Sequence, residues 1–283
     1  MAVFTNQATL TYNGLTVESN VVSGEITEVL TLYKTAQSAV YGSDPIVYII
    51  SVVNSGAQPY AGLTLTDDLG AYEFNGQTVY PLSYVAGSLR LFSNGVPQAA
   101  PTVSADAGLV ISNLTVPAGG NLTLVYAALP TAFAPRAAGE GFTNTVSAAQ
   151  EGRALSATAQ ATVLANEDPA LSIFKSVNPS VIPENGTITY TFAIENTGVT
   201  AADAAANVSV SDLFDPILSE LSVTLDGAPL ALTTGYTYDA ASGAFATVPG
   251  VITVPAATVT QDETTGAYTV VPGSATLVVT GTI

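Results

Sequence analysis

The sequence contains only two lysines, and the position of each predicts chemistry rather than solvent exposure. Lys34 and Lys175 lie in runs of alternating residues and share the parity of their apolar neighbours, so both side chains would point toward a core. Burial lowers the pKa of a lone ammonium by up to about 3 to 5 units and favours the neutral amine, which is a nucleophile. In each copy an aspartate further along the chain also shares the parity of its apolar neighbours and would point toward the core. These aspartates are Asp67 and Asp212. This combination predicts a lysine that attacks a carboxamide while a protonated aspartic acid assists.

Two asparagines are the candidate partners of these lysines. Asn144 and Asn6 each alternate with apolar residues on a predicted strand. We expect Lys34 to join Asn144 within one chain, with Asp67 as the assisting acid and ammonia as the leaving group. The product would be an isopeptide bond inside one folded module.

The second set of residues is expected to act between two chains. Lys175 would join Asn6 of a neighbouring chain, with Asp212 assisting. The alternative for both sets is a buried Lys-Asp ion pair that is hydrogen-bonded to the asparagine, with no covalent step. Asn54 and Asn196 compete as partners of the lysines, but the Ser-Gly or Thr-Gly that follows them favours a role in turns.

These residues recur because the sequence holds two copies of one pattern. Residues 30–34 recur as residues 171–175 in the second copy. After Pro117 the first copy continues to about Leu164, whereas the second has only residues 273–283 after its equivalent proline. The second copy is therefore expected to lack its last two strands.

The N-terminal segment resembles the part that is missing. Residues 4–6 match residues 142–144, an offset of 142 − 4 = 138 positions. We expect residues 3–23 to complete the second copy of a neighbouring chain as donor strands, and such a contact propagates into an open filament. Folding back onto its own second copy is less favoured, because the linker at residues 24–28 is short. The core-facing residues of the donor are expected at alternating positions, namely Phe4, Ala8, Leu10 and Tyr12.

The distribution of residue types predicts an all-β fold. Short alternating runs rich in valine, threonine, tyrosine and isoleucine are separated by glycine, proline, asparagine and aspartate, as in β-sandwiches. We predict donor strands at residues 1–27, a complete module at 28–165, and a module without its last two strands at 166–283. Two-residue hairpin turns are expected at Asn94-Gly95 and Asp226-Gly227.

Composition removes several functional classes. Cysteine, histidine and tryptophan are absent, which excludes thiol and imidazole nucleophiles and the common zinc sites, so we predict no metal and no cofactor. With 5 basic and 22 acidic residues the net charge is −17, which disfavours binding to nucleic acid. No apolar run approaches the roughly 18 residues of a membrane helix, so we expect no membrane insertion. No Sec leader is visible, so if Met1 is the true start, export takes another route.

Lys175, residues 190–198 and Asp212 form a pattern that resembles the conserved repeat domain of bacterial surface proteins. The resemblance covers nearly the whole chain. It implies an immunoglobulin-like β-sandwich in a cell-surface or appendage context. With the internal repeat, this predicts two tandem immunoglobulin-like β-sandwich modules, the second incomplete. The order of lysine, aspartate and asparagine is similar to that of collagen-adhesin-type pilin domains, in which a first-strand lysine joins a last-strand asparagine beside a buried acid. The resemblance implies no reaction on other molecules, so no enzyme is predicted beyond this self-directed step.

Together these observations predict a structural subunit of a bacterial extracellular filament. Its partner would be a second copy of itself, joined head to tail, and its location the surface of a cell or spore. The alternative is a spacer, stalk or adhesin fragment that completes its modules only within a larger surface protein.

Overall fold

The computed structural model describes residues 2–151, 155 and 157–283, and it confirms the all-β prediction. Nearly all regular structure in these ranges is β-strand, with one short 3₁₀ turn at Ala204–Ala206. Over the same residues no helix is long and apolar enough to cross a membrane.

The N-terminal segment forms a long, interrupted β-hairpin. Its outer strands pair with each other, and so do its inner strands, around a turn at Asn13-Gly14 with positive φ at both residues. The alternation predicted for residues 4–12 is therefore split between two strands. The four strands are β1 Ala2–Asn6, β2 Thr9–Tyr12, β3 Leu15–Glu18 and β4 Val22–Ile26.

The first module contains two six-stranded sheets with a core between them. Its strands are β5 Leu30–Ala36, β6 Val40–Tyr41, β7 Ile46–Asn54, β8 Tyr60–Asp67, β9 Tyr72–Phe74, β10 Gln77–Val79, β11 Leu82–Tyr84, β12 Arg90–Ser93, β13 Val96–Gln98, β14 Thr102–Ser104, β15 Leu109–Val116, β16 Asn121–Pro130, β17 Gly141–Gln150 and β18 Thr158–Ala165. One sheet has the order β13-β12-β16-β7-β5, with β11 also paired to β16. The other has the order β14-β15-β8-β17-β18-β6.

The period of two in the sequence explains this sandwich. Along β7, alternate residues are fully buried while those between them are partly exposed, as expected for a strand with one face on the core. The predicted turn at Asn94-Gly95 joins β12 to β13, and both residues have positive φ. The corresponding prediction for Asp226-Gly227 in the second module is also confirmed.

The second module repeats one of these sheets and part of the other. Its strands are β19 Leu171–Asn178, β20 Thr187–Asn196, β21 Ser211–Leu213, β22 Ser219–Leu225, β23 Ala228–Pro229, β24 Tyr236–Asp239, β25 Ala244–Thr247, β26 Thr258–Gln261, β27 Tyr268–Val271 and β28 Gly273–Thr282. The order β19-β20-β28-β22-β23 corresponds to β5-β7-β16-β12-β13. A three-stranded sheet, β21-β25-β24, corresponds to β8-β15-β14.

The two modules differ at one sheet edge. In the first module, β8 is hydrogen-bonded to β15 on one side and to β17 on the other. In the second module, β21 pairs with β25 alone among the described strands. The positions that β17 and β18 occupy in the first module therefore have no counterpart in this part of the second.

A hairpin of the second module, β26 and β27, contacts the first module. The backbone N–H of Tyr268 donates to the carbonyl of Ala132 at 2.7 Å, and the Asn75 side chain donates to the carbonyl of Glu263 at 2.6 Å. At the equivalent position the first module has only a tight turn, closed by a hydrogen bond from Gly120 to Pro117. The carbonyl of Pro117 accepts from Asn54 as that of Pro255 accepts from Asn196, so Pro117 corresponds to Pro255 and not, as expected from the sequence, to the proline before residue 273. We call the β26-β27 hairpin the intermodule hairpin.

Candidate functional site

The first module buries a lysine and an aspartate as a direct pair. Lys34 lies on β5 and Asp67 at the end of β8, and the Nζ of Lys34 is 2.7 Å from the Oδ2 of Asp67 with both side chains inaccessible to solvent. The other carboxylate oxygen accepts a hydrogen bond from the backbone N–H of Leu69 at 3.1 Å. The opposed sheets therefore bring the predicted pair together across the core.

A tyrosine links this pair to the predicted asparagine. The hydroxyl of Tyr126 on β16 donates to the Oδ2 of Asp67 at 2.6 Å. The Nδ2 of Asn144 on β17 donates to the same hydroxyl at 3.0 Å. All three predicted residues of the first set, Lys34, Asp67 and Asn144, thus belong to one buried network.

Two polar atoms of this site have no hydrogen-bond partner. They are the hydroxyl of Tyr48 and the Oδ1 of Asn144, and they are the only such buried side-chain atoms among the residues that the structure describes. Tyr48 lies on β7, opposite Tyr126 in the sheet register, with the two rings stacked at 5.4 Å. The ammonium of Lys34 lies 5.1 Å from the centre of the Tyr48 ring.

Burial shifts the acid–base properties of this site. It lowers the pKa of Lys34, against the opposing effect of the Asp67 carboxylate. Burial also raises the pKa of Tyr126 well above its ordinary value, and the nearby Asp67 charge adds to that rise. Because a lowered lysine pKa favours the free amine, the environment favours the nucleophilic form.

The second set of residues is only partly assembled. Lys175 on β19 forms an ion pair with Asp212 on β21, but their side chains are 42% and 18% exposed. The Lys175 ammonium lies 4.6 Å from the Tyr190 ring centre and 5.5 Å from that of Phe214. The pair thus resembles that of the first module, with one side open to solvent.

Asn6, the predicted partner of Lys175, lies elsewhere in the chain. It pairs with Val22 within the N-terminal hairpin and is exposed. The predicted bond between Lys175 and Asn6 involves two chains, so its geometry stays a prediction.

The strand that carries Lys175 is exposed along its whole length. Every residue of β19 is exposed, whereas alternate residues of β5 are buried. Leu171 is 41% exposed, and its counterpart Leu30 is 6% exposed. In the first module β18 packs against β5, and among the described strands of the second module none covers β19 in this way. We call the region between β19 and β21 the acceptor groove.

The N-terminal hairpin exposes an apolar face. Leu10 pairs with Val17 and Tyr12 with Leu15, which places these four side chains on one face. Leu10 is 64% exposed. The predicted donor residues Phe4, Ala8, Leu10 and Tyr12 are all exposed in the single chain.

Asn54 and Asn196 are turn residues, as their following Ser-Gly and Thr-Gly predict. The Oδ1 of Asn54 accepts from the backbone N–H of Gly56 at 2.9 Å, and that of Asn196 accepts from Gly198 at the same distance. Both amide groups also donate to loop carbonyls. Their hydrogen-bonding groups are therefore engaged away from the lysines.

Tyr48 and Tyr126 are the site residues that the sequence analysis missed. The sequence does indicate that both tyrosines are buried, because each alternates with apolar residues on a strand. A buried tyrosine hydroxyl usually has a polar partner. That signal does not identify the partner. Over the described ranges, no group of three or more acidic residues could hold a metal ion.

No family model matches this sequence, and no curated protein matches it. The chain is similar to the collagen-binding domain from a Staphylococcus aureus adhesin, with 14% identity over 49% of this chain and 99% of that one and a TM-score of 0.33. It is also similar to the pilus backbone RrgB from Streptococcus pneumoniae, with 12% identity over 86% of this chain and 55% of that one and a TM-score of 0.35. A third similar structure is BcpA, the major pilin subunit of Bacillus cereus, with 11% identity over 96% of this chain and 73% of that one and a TM-score of 0.36.

These structures are a collagen adhesin and pilins, the kinds of protein that the sequence resemblance named. The chain spans about half the length of the RrgB chain. Similarity of this degree does not establish a shared function.

Proposed function

We propose that this protein is a structural subunit of a bacterial extracellular filament that assembles head to tail. In this proposal the N-terminal hairpin of one subunit fills the acceptor groove in the second module of the next. The subunit is displayed on a cell or spore surface and acts on no external substrate.

The observation that carries the proposal is that one chain holds both an exposed strand beside an unpaired sheet edge, β19 and β21, and an exposed apolar hairpin. In the first module, Val146 of β17 pairs with Asp67 and Ala148 pairs with Leu65. In the proposed junction, the sequence repeat transfers this register to Ala8 opposite Asp212. It also places Asn6 on the same face, toward the side chain of Lys175, as Asn144 is placed in the first module.

The energetics favour insertion. Burying a large apolar side chain contributes about 1.5 to 3 kcal/mol, and the hairpin offers Phe4, Leu10, Tyr12, Leu15 and Val17. Association costs an estimated 4 to 15 kcal/mol. Pairing of the unpaired edge of β21 adds backbone hydrogen bonds, so the balance favours assembly.

The covalent part of the proposal is an isopeptide bond between Lys34 and Asn144. A proton passes from Nζ to the Asp67 carboxylate, and the free amine attacks the Cγ of Asn144. The bond from Cγ to Nδ2 breaks, a new bond from Cγ to Nζ remains, and ammonia leaves. Lys175, Asp212 and Asn6 of the next subunit are proposed to form the equivalent bond between subunits.

Paired variants test the assembly. Leu10→Asp should disable the donor and Ile173→Asp the acceptor, because each places a carboxylate in the buried junction, and each variant alone should remain monomeric. Mixed together they should form heterodimers and stop there, since one intact donor and one intact acceptor remain. Light scattering and negative-stain microscopy measure these states.

The controls are Thr11→Asp and Ser172→Asp, adjacent residues that point to the opposite faces of their strands. Both should assemble like the unaltered chain. An unaltered chain that stays monomeric at high concentration, with an ordered second module, would contradict the proposal. Assembly unaffected by loss of residues 1–24 would favour a spacer or adhesin fragment completed within a larger protein.

A further inference from the structure

We propose that the hydroxyls of Tyr126 and Tyr48 are catalytic groups in the formation of the bond between Lys34 and Asn144. Tyr126 delivers the proton that the departing amide nitrogen needs, and Tyr48 stabilises the negative charge on the carboxamide oxygen. This inference rests on the bond proposed above and assigns two residues to its chemistry.

The departing nitrogen needs a proton, because an amide nitrogen leaves as ammonia and not as an anion. The Nδ2 of Asn144 touches one hydroxyl, that of Tyr126 at 3.0 Å, and this hydroxyl is 2.6 Å from the Oδ2 of Asp67. Asp67 in turn is 2.7 Å from the Nζ of Lys34. A continuous hydrogen-bonded path therefore connects the attacking nitrogen with the departing one.

The protons balance along this path. Nζ first gives a proton to the Asp67 carboxylate and attacks Cγ, which produces a cationic Nζ and an anionic oxygen in the tetrahedral intermediate. Tyr126 then gives its proton to Nδ2 and receives the proton held by Asp67. Asp67 takes the second proton from Nζ, the bond to Nδ2 breaks, and ammonia leaves beside a neutral Asp67 and an intact Tyr126.

The negative oxygen of the intermediate, the former Oδ1 of Asn144, is assigned to Tyr48 for stabilisation. The Oδ1 of Asn144 and the hydroxyl of Tyr48 are the two buried side-chain atoms that lack partners within the described residues. Leaving a buried polar atom unpaired is unfavourable, and here both atoms lie in one site. Burial raises the pKa of Tyr48, and its ring stacks on that of Tyr126, whose hydroxyl contacts Asn144. A hydroxyl that is unpaired in the ground state is free to donate where charge develops.

The second module differs at one of these two positions. In the first module Tyr126 is the register partner of Tyr48, whereas in the second Val279 is the partner of Tyr190. The second site therefore keeps the counterpart of Tyr48 and lacks the relay hydroxyl. Bond formation between subunits should be far slower than bond formation within the first module.

The test compares rates of ammonia loss in the full chain. Cells that express the unaltered chain, Tyr126→Phe or Tyr48→Phe are sampled at intervals after induction, and intact mass gives the fraction that has lost ammonia. Tyr126→Phe should slow the loss by roughly 10²- to 10⁴-fold, as for removal of a proton-transfer group. Tyr48→Phe should slow it by roughly 10²- to 10³-fold, as for removal of an oxyanion donor.

The matched control is Tyr84→Phe, because the Tyr84 ring lies 6.3 Å from that of Tyr126 while its hydroxyl bonds outside the network, to the backbone of Leu89. This variant should react like the unaltered chain. Lys34→Arg should lose no ammonia from Asn144, which peptide mapping identifies. Tyr48→Phe removes a hydroxyl without a partner, so its fold should persist even if Tyr126→Phe unfolds.

The outcomes separate the two proposals. If the unaltered folded chain keeps its full mass, the isopeptide bond does not form, and the roles of both tyrosines fall with it. If the unaltered chain loses ammonia and both tyrosine variants lose it at the same rate, the bond stands and the catalytic roles are wrong. Equal rates at Asn144 and Asn6 would overturn the relay role of Tyr126.

Discussion

A cluster of buried polar groups lies inside the apolar sandwich of the first module. Lys34, Asp67 and Tyr126 satisfy one another through hydrogen bonds of 2.6 to 2.7 Å. The Oδ1 of Asn144 remains unpaired at the same place. The acid and the amine of this site are therefore paired, whereas one carbonyl oxygen beside them is not.

The stability of the folded chain should depend on pH through Tyr48. Burial raises the pKa of Tyr48 above its ordinary value of about 10. Above that pH the unfolded chain loses the Tyr48 proton while the folded chain keeps it, so this tyrosine makes folding less favourable as pH rises. The unaltered chain should lose about 1.4 kcal/mol more per pH unit than Tyr48→Phe over this window.

Urea unfolding of both chains between about pH 9 and pH 11.5 measures this difference. Below the ordinary tyrosine pKa, the plots of unfolding free energy against pH should be parallel for the two chains, because Tyr48 then holds its proton in both the folded and the unfolded state. Parallel curves at high pH as well would mean that Tyr48 titrates normally in the folded chain.

At the scale of strands, the same sheet edge is closed in one module and open in the other. In the first module β17 and β18 cover β8 and β5, and the lysine and aspartate are fully buried. In the second module the equivalent pair is partly exposed, and β19 is exposed along its whole length. The Lys34-Asp67 pair is therefore buried because β17 and β18 cover it.

A cysteine cross-link tests the register of the proposed junction. In the first module Ser147 pairs with Thr66, so by the repeat Thr9 of one subunit should lie opposite Ser211 of the next. A subunit with Thr9→Cys and one with Ser211→Cys should form a disulfide, because directly paired residues lie within the 4.4 to 6.8 Å between Cα atoms that roughly defines the allowed range. Non-reducing electrophoresis detects the product, and the chain has no native cysteine to interfere.

Thr11→Cys is the control for Ser211→Cys, since it is displaced by two residues along the same strand face. That displacement exceeds the reach of a disulfide. Cross-linking through residue 11 and not residue 9 would mean that the donor inserts in another register.

The whole molecule has two kinds of junction between modules. Within one subunit the intermodule hairpin donates to Ala132 and accepts from Asn75, and it tethers the second module to the first. The first module has a short turn at the equivalent place. In the proposed filament, the junction between subunits therefore lacks this tether, and bending is concentrated there.

Replacing residues 256–271 by the turn sequence of residues 118–120 tests this difference. The second module should keep its core, because the buried Val254 and Ala275 lie outside the deleted hairpin, while the angle between modules should broaden. Small-angle scattering of the monomeric Leu10→Asp form, with and without the hairpin, measures how widely the maximum dimension of the monomer is distributed. A broader distribution reports a more variable angle between the modules. An unchanged distribution would show that the short linker alone sets the angle.

The amino-acid sequence alone determined the all-β class, the turns at Asn94-Gly95 and Asp226-Gly227, and the inward direction of Lys34, Asp67 and Asn144. These features follow from local periodicity and turn chemistry, which neighbouring residues specify. Only the tertiary structure decided that Tyr126 would bridge Asp67 and Asn144, and that a hairpin of the second module would contact the first. Tyr126 and Asp67 lie 59 residues apart on opposed sheets, and which inward-facing groups meet across a sandwich depends on how the sheets pack, which no single strand encodes.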